Sequence, residues 1–192
     1  MTSAFARATV GILVGGQATR MHGVAKGLLP TASGEPIVTR TARIFREAGA
    51  DAVLLGGAAR YADTGLASLA DEPGVAGPLA GLLALLRHAT TSRVFLVGGD
   101  MPFVTASLVA RLGQLLDQHD AGAAHDGERY LPLFSAFSGD AVRQRVEDIV
   151  RDGARSPSAV LRALPAARLE LGAEELTALA DWDTDEDRAL ES

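Results

Sequence analysis

The sequence predicts an α/β fold: one mostly parallel sheet flanked by helices on both faces, with a small mixed C-terminal part. Three observations carry this. Short apolar runs recur along the chain, helical stretches alternate with them, and each of the first three runs ends at a glycine pair. Buried parallel strands read as short continuous apolar runs, and helical crossovers supply the alternation. The 192 residues fit one domain, and 47% hydrophobic with 22% charged residues is a globular balance.

The first run, Thr9 to Val14, reads as a buried strand closed by Gly15-Gly16. Pro36 to Ala48 reads as a helix, with Pro at its start and Gly49 past its end. Ala52 to Leu55 is the second strand, followed by Gly56-Gly57. Leu79 to His88 is an apolar-periodic helix entered through Gly77-Pro78. Val94 to Val97 is the clearest strand and runs into Gly98-Gly99-Asp100. Thr105 suits the N-cap of a helix reaching about Gln118. Beyond it, Ala121 to Ala124 and Tyr130 to Phe137 suit strands, and Gly139 to Val150 suits a helix. Short pieces follow, ending in an acidic tail from Asp181 to Asp187. The alternation gives a single-domain Rossmann-like sheet. Ligands of such sheets bind outside the carboxyl ends of the strands, where the glycine pairs fall.

Composition removes several functions. There is no cysteine, which excludes disulfides, thiolate metal sites and cysteine nucleophiles and suits a reducing cytoplasm. A net charge of −6 argues against duplex nucleic acid, which needs a basic face. No stretch reaches the roughly 18 apolar residues of a membrane span, and the polar N-terminus has no apolar signal run. The 18 cations divide into 17 Arg and one Lys, Lys26. In a chain that uses guanidinium so freely, Lys26 marks a place suited to a compact ammonium, unless it is a chance survivor on the surface.

Three strand ends carry candidate chemistry. Gly15-Gly16 lets backbone N–H groups approach a phosphate, although the loop fits neither GxGxxG nor a Walker motif. Alone the pair is equally a plain turn; Arg20 and Lys26 in the same polar loop add weight to an anion site. Asp100 stands past the clearest strand, where a carboxylate either holds Mg²⁺ beside substrate phosphates or caps the turn before Pro102. Gly77-Pro78, after Asp71-Glu72-Pro73-Gly74, opens a helix whose first-turn N–H groups are available to a ligand or simply end a loop. His88 and His119 fall near helix ends and carry no function, whereas His22 lies in the glycine loop within reach of a phosphate. His125 to Arg129 reads as a hairpin turn.

In order and spacing, LVGGQATRMHGVAKGLL, DEPGVAGPLAGLLALL, VGGDMPFV, HDGERYLPLFSAF and DWDTDED resemble the molybdenum cofactor guanylyltransferases, from about Val10 to Asp187. The leading loop matches at Leu13, Gly15, Gly16, Arg20, Met21, Lys26, Gly27 and Leu28, and Gly77 to Gly81 matches in full. Val14 replaces Ala, His22 replaces Gly and Ala25 replaces Asp. Gly99 stands where the family usually has Cys, a feature of cytidylyl relatives, and Asp181 and Asp183 replace asparagines.

The resemblance implies transfer of GMP from GTP to the terminal phosphate of molybdenum-bearing molybdopterin, with release of pyrophosphate. Nucleotide-binding residues would be Leu13, Val14, Gly15, Gly16, Lys26, Asp71, Gly77, Pro78 and Asp100, with Asp71 accepting from guanine. Mg²⁺ would rest on Asp100 and Asp183, and catalysis would rest on Lys26, Arg20 and Asp100. Residues about 8–120 would form the nucleotide half and about 121–192 the pterin half, with Arg155 and His125 on the pterin. The expected protein is a cytoplasmic monomer whose protein partners deliver molybdopterin or mature molybdoenzymes. Two other readings stay open: a relative using CTP or another phosphorylated acceptor, and a nucleotide-binding regulatory module without turnover.

Overall fold

The structure, a computed structural model, describes residues 7–15 and 25–179. Within them the strands are β1 (Ala8–Leu13), β2 (Ala50–Leu55), β3 (Ala67–Leu69), β4 (Arg93–Gly98), β5 (Ala121–His125), β6 (Tyr130–Ser138) and β7 (Ala167–Glu170). They form one sheet in the order β3-β2-β1-β4-β6-β5-β7. β6 pairs antiparallel with both neighbours and every other pairing is parallel. The α/β class and the mostly parallel sheet predicted from sequence are both present.

The helices are α1 (Ile37–Glu47), α2 (Pro78–His88), α3 (Ala106–Gln114), α4 (Gly139–Arg151), α5 (Pro157–Ala163) and α6 (Ala173–Ala178). Side chains alternate across each strand, so β4 sends Phe95 and Val97 into one core and Val94 and Leu96 into another. The first core lies under α1 and α3, where Phe45 meets Phe95 edge to face at 5.3 Å. The second lies under α2, α4 and α5, with Leu82, Val142 and Val160 at its centre. Helices therefore cover both faces, as the apolar runs of β1, β2 and β4 require. Gly11 in β1 makes room for α2: a Cβ there would lie 2.6 Å from Leu85 Cδ2.

Most differences from the sequence reading are at element ends. Strand β2 starts at Ala50, and the helix after Thr105 tightens into a 3-10 turn over Leu115–Asp117. Thr105 does cap α3, its hydroxyl oxygen accepting the Leu108 N–H at 3.2 Å. The last short pieces resolve into α5, β7 and α6. Edge strand β3, unforeseen, has no fully buried residue and so leaves no apolar signature.

One buried group in α1 works against stability. Thr41 is fully buried and its hydroxyl has no hydrogen-bond partner among the described residues. Thr41→Val keeps the shape and removes the stranded hydroxyl, so it is expected to raise unfolding free energy by about 1 kcal/mol. A lower urea midpoint in the variant would show that the hydroxyl is satisfied.

Candidate active site

The register brings Leu13 of β1 level with Leu55 of β2 on one side and Gly98 of β4 on the other. All three strands therefore end together, and the chain leaves them through turns packed on one another. The N–H groups of Val14 and Gly15 both donate to the Leu55 carbonyl, at 3.1 and 3.2 Å, and Gly99 N–H donates to Leu13 at 2.9 Å. Beyond this edge lies a cavity of about 190 Å³ lined by Leu13, Val14, Gly15, Ala25, Lys26, Gly27, Arg60, Tyr61, Gly99 and Asp100.

Its charged centre is Lys26 and Asp100. Lys26 begins a 3-10 turn, Lys26–Leu28, and its Nζ lies 3.9 Å from Asp100 Oδ2, with side chains 19% and 28% exposed. Partly shielded and still open to the cavity, the pair offers one cation and one carboxylate to a ligand. Sequence reading found the Asp beside Lys26 replaced by Ala25; in the fold Asp100 supplies a carboxylate through space.

The turn that carries Lys26 is pinned. Tyr61 is 4% exposed, and a Cβ on Gly27 would lie 3.0 Å from the Tyr61 hydroxyl and 2.9 Å from the Gly99 carbonyl. Burial pushes the Tyr61 phenol up from its ordinary range and the Asp100 charge adds to this, while a backbone hydrogen bond from Gly27 and the Arg60 charge pull it down. The phenol is therefore protonated at neutral pH. Sequence reading missed Arg60 and Tyr61; the Gly56-Gly57 pair just before them marks the exit of β2 but does not single out these side chains.

Gly99 and Val14 are fitted to each other. A Cβ on Gly99 would stand 2.8 Å from the Leu13 carbonyl oxygen and 2.8 Å from Val14 Cγ1. On the other flank, a Cβ on Gly57 would stand 3.2 Å from Val14 Cγ2. Val14 thus occupies the space its two neighbours give up.

Asp71 and the start of α2 stand beside the cavity and not in its wall. Asp71 is exposed, and its Oδ2 comes within 3.5 Å of where a Gly56 Cβ would be, against the flank of Gly15. Glu72 next to it is held by Arg87 of α2, which also donates to Glu147 of α4 at 2.8 Å. Gly77, in a left-handed conformation at φ 67°, is the N-cap of α2, Pro78 is its first residue, and no side chain caps the helix.

The two residues expected on the pterin lie apart from the cavity. His125 is 3% exposed, its Nδ1 accepting the Gly127 N–H at 3.1 Å, so the ring braces the β5–β6 turn from inside. The outward groups of that turn are Glu128 and Arg129. Arg155 is exposed just ahead of α5 and donates to the Ala154 carbonyl. Gly16, Arg20, His22 and Asp183 lie outside the described residues. Among the described residues no three His, Asp or Glu side chains gather into a metal cluster.

An open, mostly parallel sheet with a cation and a carboxylate at its carboxyl edge is an arrangement for handling nucleotides. Comparison with known proteins makes the class definite: a nucleotidyltransferase. A family model, the MobA-like NTP transferase domain, matches residues 10–169, and the chain belongs to that family. The molybdenum cofactor guanylyltransferase of Serratia proteamaculans is 38% identical over 143 residues, 73% of this chain and 72% of the relative. That of Yersinia pestis is 32% identical over 162 residues, 83% and 82% of the two chains. In structure, molybdopterin-guanine dinucleotide biosynthesis protein A from Archaeoglobus fulgidus shares the fold at a TM-score of 0.72 and 19% identity, covering 95% and 96%. The family resemblance read from the motifs is borne out.

The packing at the strand ends sets a test. Gly99→Ala is expected to lower unfolding free energy by about 1–3 kcal/mol through overpacking. Adding Val14→Ala removes the clash with Cγ1 but leaves the Leu13 carbonyl, so the double variant should recover part of the loss. Strictly additive energies in this double-mutant cycle would show that the two positions share no space.

Proposed function

We propose that the protein transfers GMP from GTP to the terminal phosphate of molybdenum-bearing molybdopterin, releasing pyrophosphate. The observation that carries the reading is the Lys26–Asp100 pair, 3.9 Å apart in a cavity at the carboxyl ends of β1 and β4. The reading is supported by the name of relatives at 38% and 32% identity, molybdenum cofactor guanylyltransferase.

Phosphoryl-group transfer asks little covalent work of a protein, so positioning and charge neutralisation dominate. Lys26 offers three rotatable donors to phosphate oxygens. The donor set fits Mg²⁺, which takes one or two carboxylates with phosphates and water completing its shell. Asp100, 28% exposed on the cavity wall, is such a carboxylate. Bound there, Mg²⁺ would neutralise phosphate charge, with Asp183 as the second ligand proposed from sequence.

Leu13, Val14 and Gly15 form the floor under the nucleotide, and Asp71 at the flank of Gly15 accepts from the ring N–H and amino group of guanine. Gly77 and Pro78 bring the uncapped start of α2 to the same flank. The acceptor approaches over the C-terminal half, about residues 121–192, where the β5–β6 turn with Arg129 and the approach to α5 with Arg155 present cations. Gly99 does not favour CTP on this reading, because the approach of Leu13 already demands glycine there.

Pyrophosphate release with GTP, Mg²⁺ and molybdopterin is the test. Asp100→Asn should lower turnover by about 10²-fold or more at limiting Mg²⁺ while leaving the melting temperature unchanged. Lys26→Arg, which keeps the charge and loses the compact head, should lose about tenfold or more. Normal turnover in either variant, or equal turnover with CTP, would overturn the assignment.

A further inference from the structure

We infer that Arg60 is a second phosphate-binding side chain, gripping the same nucleotide polyphosphate as Lys26 from the opposite element of the cavity wall. The inference deepens the nucleotide reading above and rests on it.

Arg60 belongs to a short 3-10 segment, Ala58–Thr64, that leaves the end of β2. Glycines in the left-handed region bound the segment on both sides, Gly57 at φ 64° and Gly65 at φ 67°. Tyr61 pegs it from beneath, buried against Gly27 in the turn that presents Lys26. The Thr64 hydroxyl closes it further, donating to the Tyr61 carbonyl at 2.6 Å. Arg60 therefore stands on an anchored element although its own side chain faces the cavity and solvent.

The charge balance of the cavity wall points to an anion. Among the described residues of the wall, Lys26 and Asp100 offset one another, and Arg60 adds one positive charge. Several guanidinium groups elsewhere are committed to carboxylates, among them Arg43, Arg87, Arg93, Arg111 and Arg143, and Arg60 is the one described arginine in the cavity wall. Arg60 meets no carboxylate among the described residues. A planar fork with five donors beside an ammonium suits a chain of phosphates, with Lys26 as the point contact and Arg60 as the bidentate one.

Equilibrium titration of the purified protein with GTP, inorganic pyrophosphate and guanosine tests this, comparing the wild type with Arg60→Gln, Lys26→Gln and the exposed α1 control Arg46→Gln. Arg60→Gln should weaken GTP and pyrophosphate by about tenfold and leave guanosine unchanged, as should Lys26→Gln, while Arg46→Gln changes nothing. Wild-type affinity for GTP and pyrophosphate in Arg60→Gln alone would overturn the role of Arg60 and leave the nucleotide site standing. Wild-type protein that binds neither ligand would overturn both. An effect of Arg60→Gln confined to the KM for molybdopterin would assign the residue to the acceptor and end the proposal. Equal loss of guanosine would mean that the substitution distorts the site.

Discussion

Three parallel strands that stop in register create the constraint from which the rest of the site follows. With Leu13, Leu55 and Gly98 side by side, the chain must leave the edge three times within a few ångströms. The exits can coexist only where side chains are missing, and a Cβ on Gly56 would come within 3.1 Å of the Gly15 Cα. Crowding so close to the backbone removes most conformational alternatives. It also commits the first N–H groups past the edge to one another's strands, those of Val14 and Gly15 to Leu55 and that of Gly99 to Leu13, so the Gly15 N–H that the sequence suggested for a phosphate is spent on holding the exits together.

The functional groups inherit their positions from that crowding. Asp100 follows the exit of β4 directly. Lys26 arrives from a distant turn, yet Gly27, packed against Tyr61 and the Gly99 carbonyl, ties that turn to the exits of β2 and β4. The cation and carboxylate thus belong to one packed unit, and a shift of any exit moves both. On the other flank the Asp71-Glu72 loop is tied through Arg87 to α2 and, through Glu147, to α4. Exposed ion pairs contribute little to stability. What this one supplies is geometry, a link between the loop beside Gly15 and the C-terminal half.

Much of this was legible in sequence for physical reasons. Strands β1, β2 and β4 are buried on both faces and so leave continuous apolar runs, and their exits leave glycine pairs. Lys26 announced itself as the one lysine among seventeen arginines. Strands β3 and β7 left almost no trace, because an edge strand with one buried residue or none has no pattern to read. Arg60 and Tyr61 were missed for a different reason. Their place in the cavity comes from Tyr61 packing under Gly27, a contact across 34 positions of chain that no local spacing encodes. His125 shows the converse, a residue with chemical promise in the sequence whose ring the fold turns inward.

The departures from the family pattern also change meaning once the packing is known. In the motif, Val14 for Ala and Gly99 for Cys look like two separate losses, the second pointing toward cytidylyl relatives. In the structure they are one exchange. Val14 carries extra methyl groups into the volume that a side chain at position 99 would need, and Gly57 yields on the other flank. Volume-conserving swaps are the core changes that proteins tolerate best. How closely β1 and β4 exit therefore accounts for Gly99 by itself. Ala25 follows the same logic, since Asp100 already stands 3.9 Å from the ammonium. With Ala25 in place of a second carboxylate, the described residues of the cavity wall set two cations, Lys26 and Arg60, against the single acid Asp100.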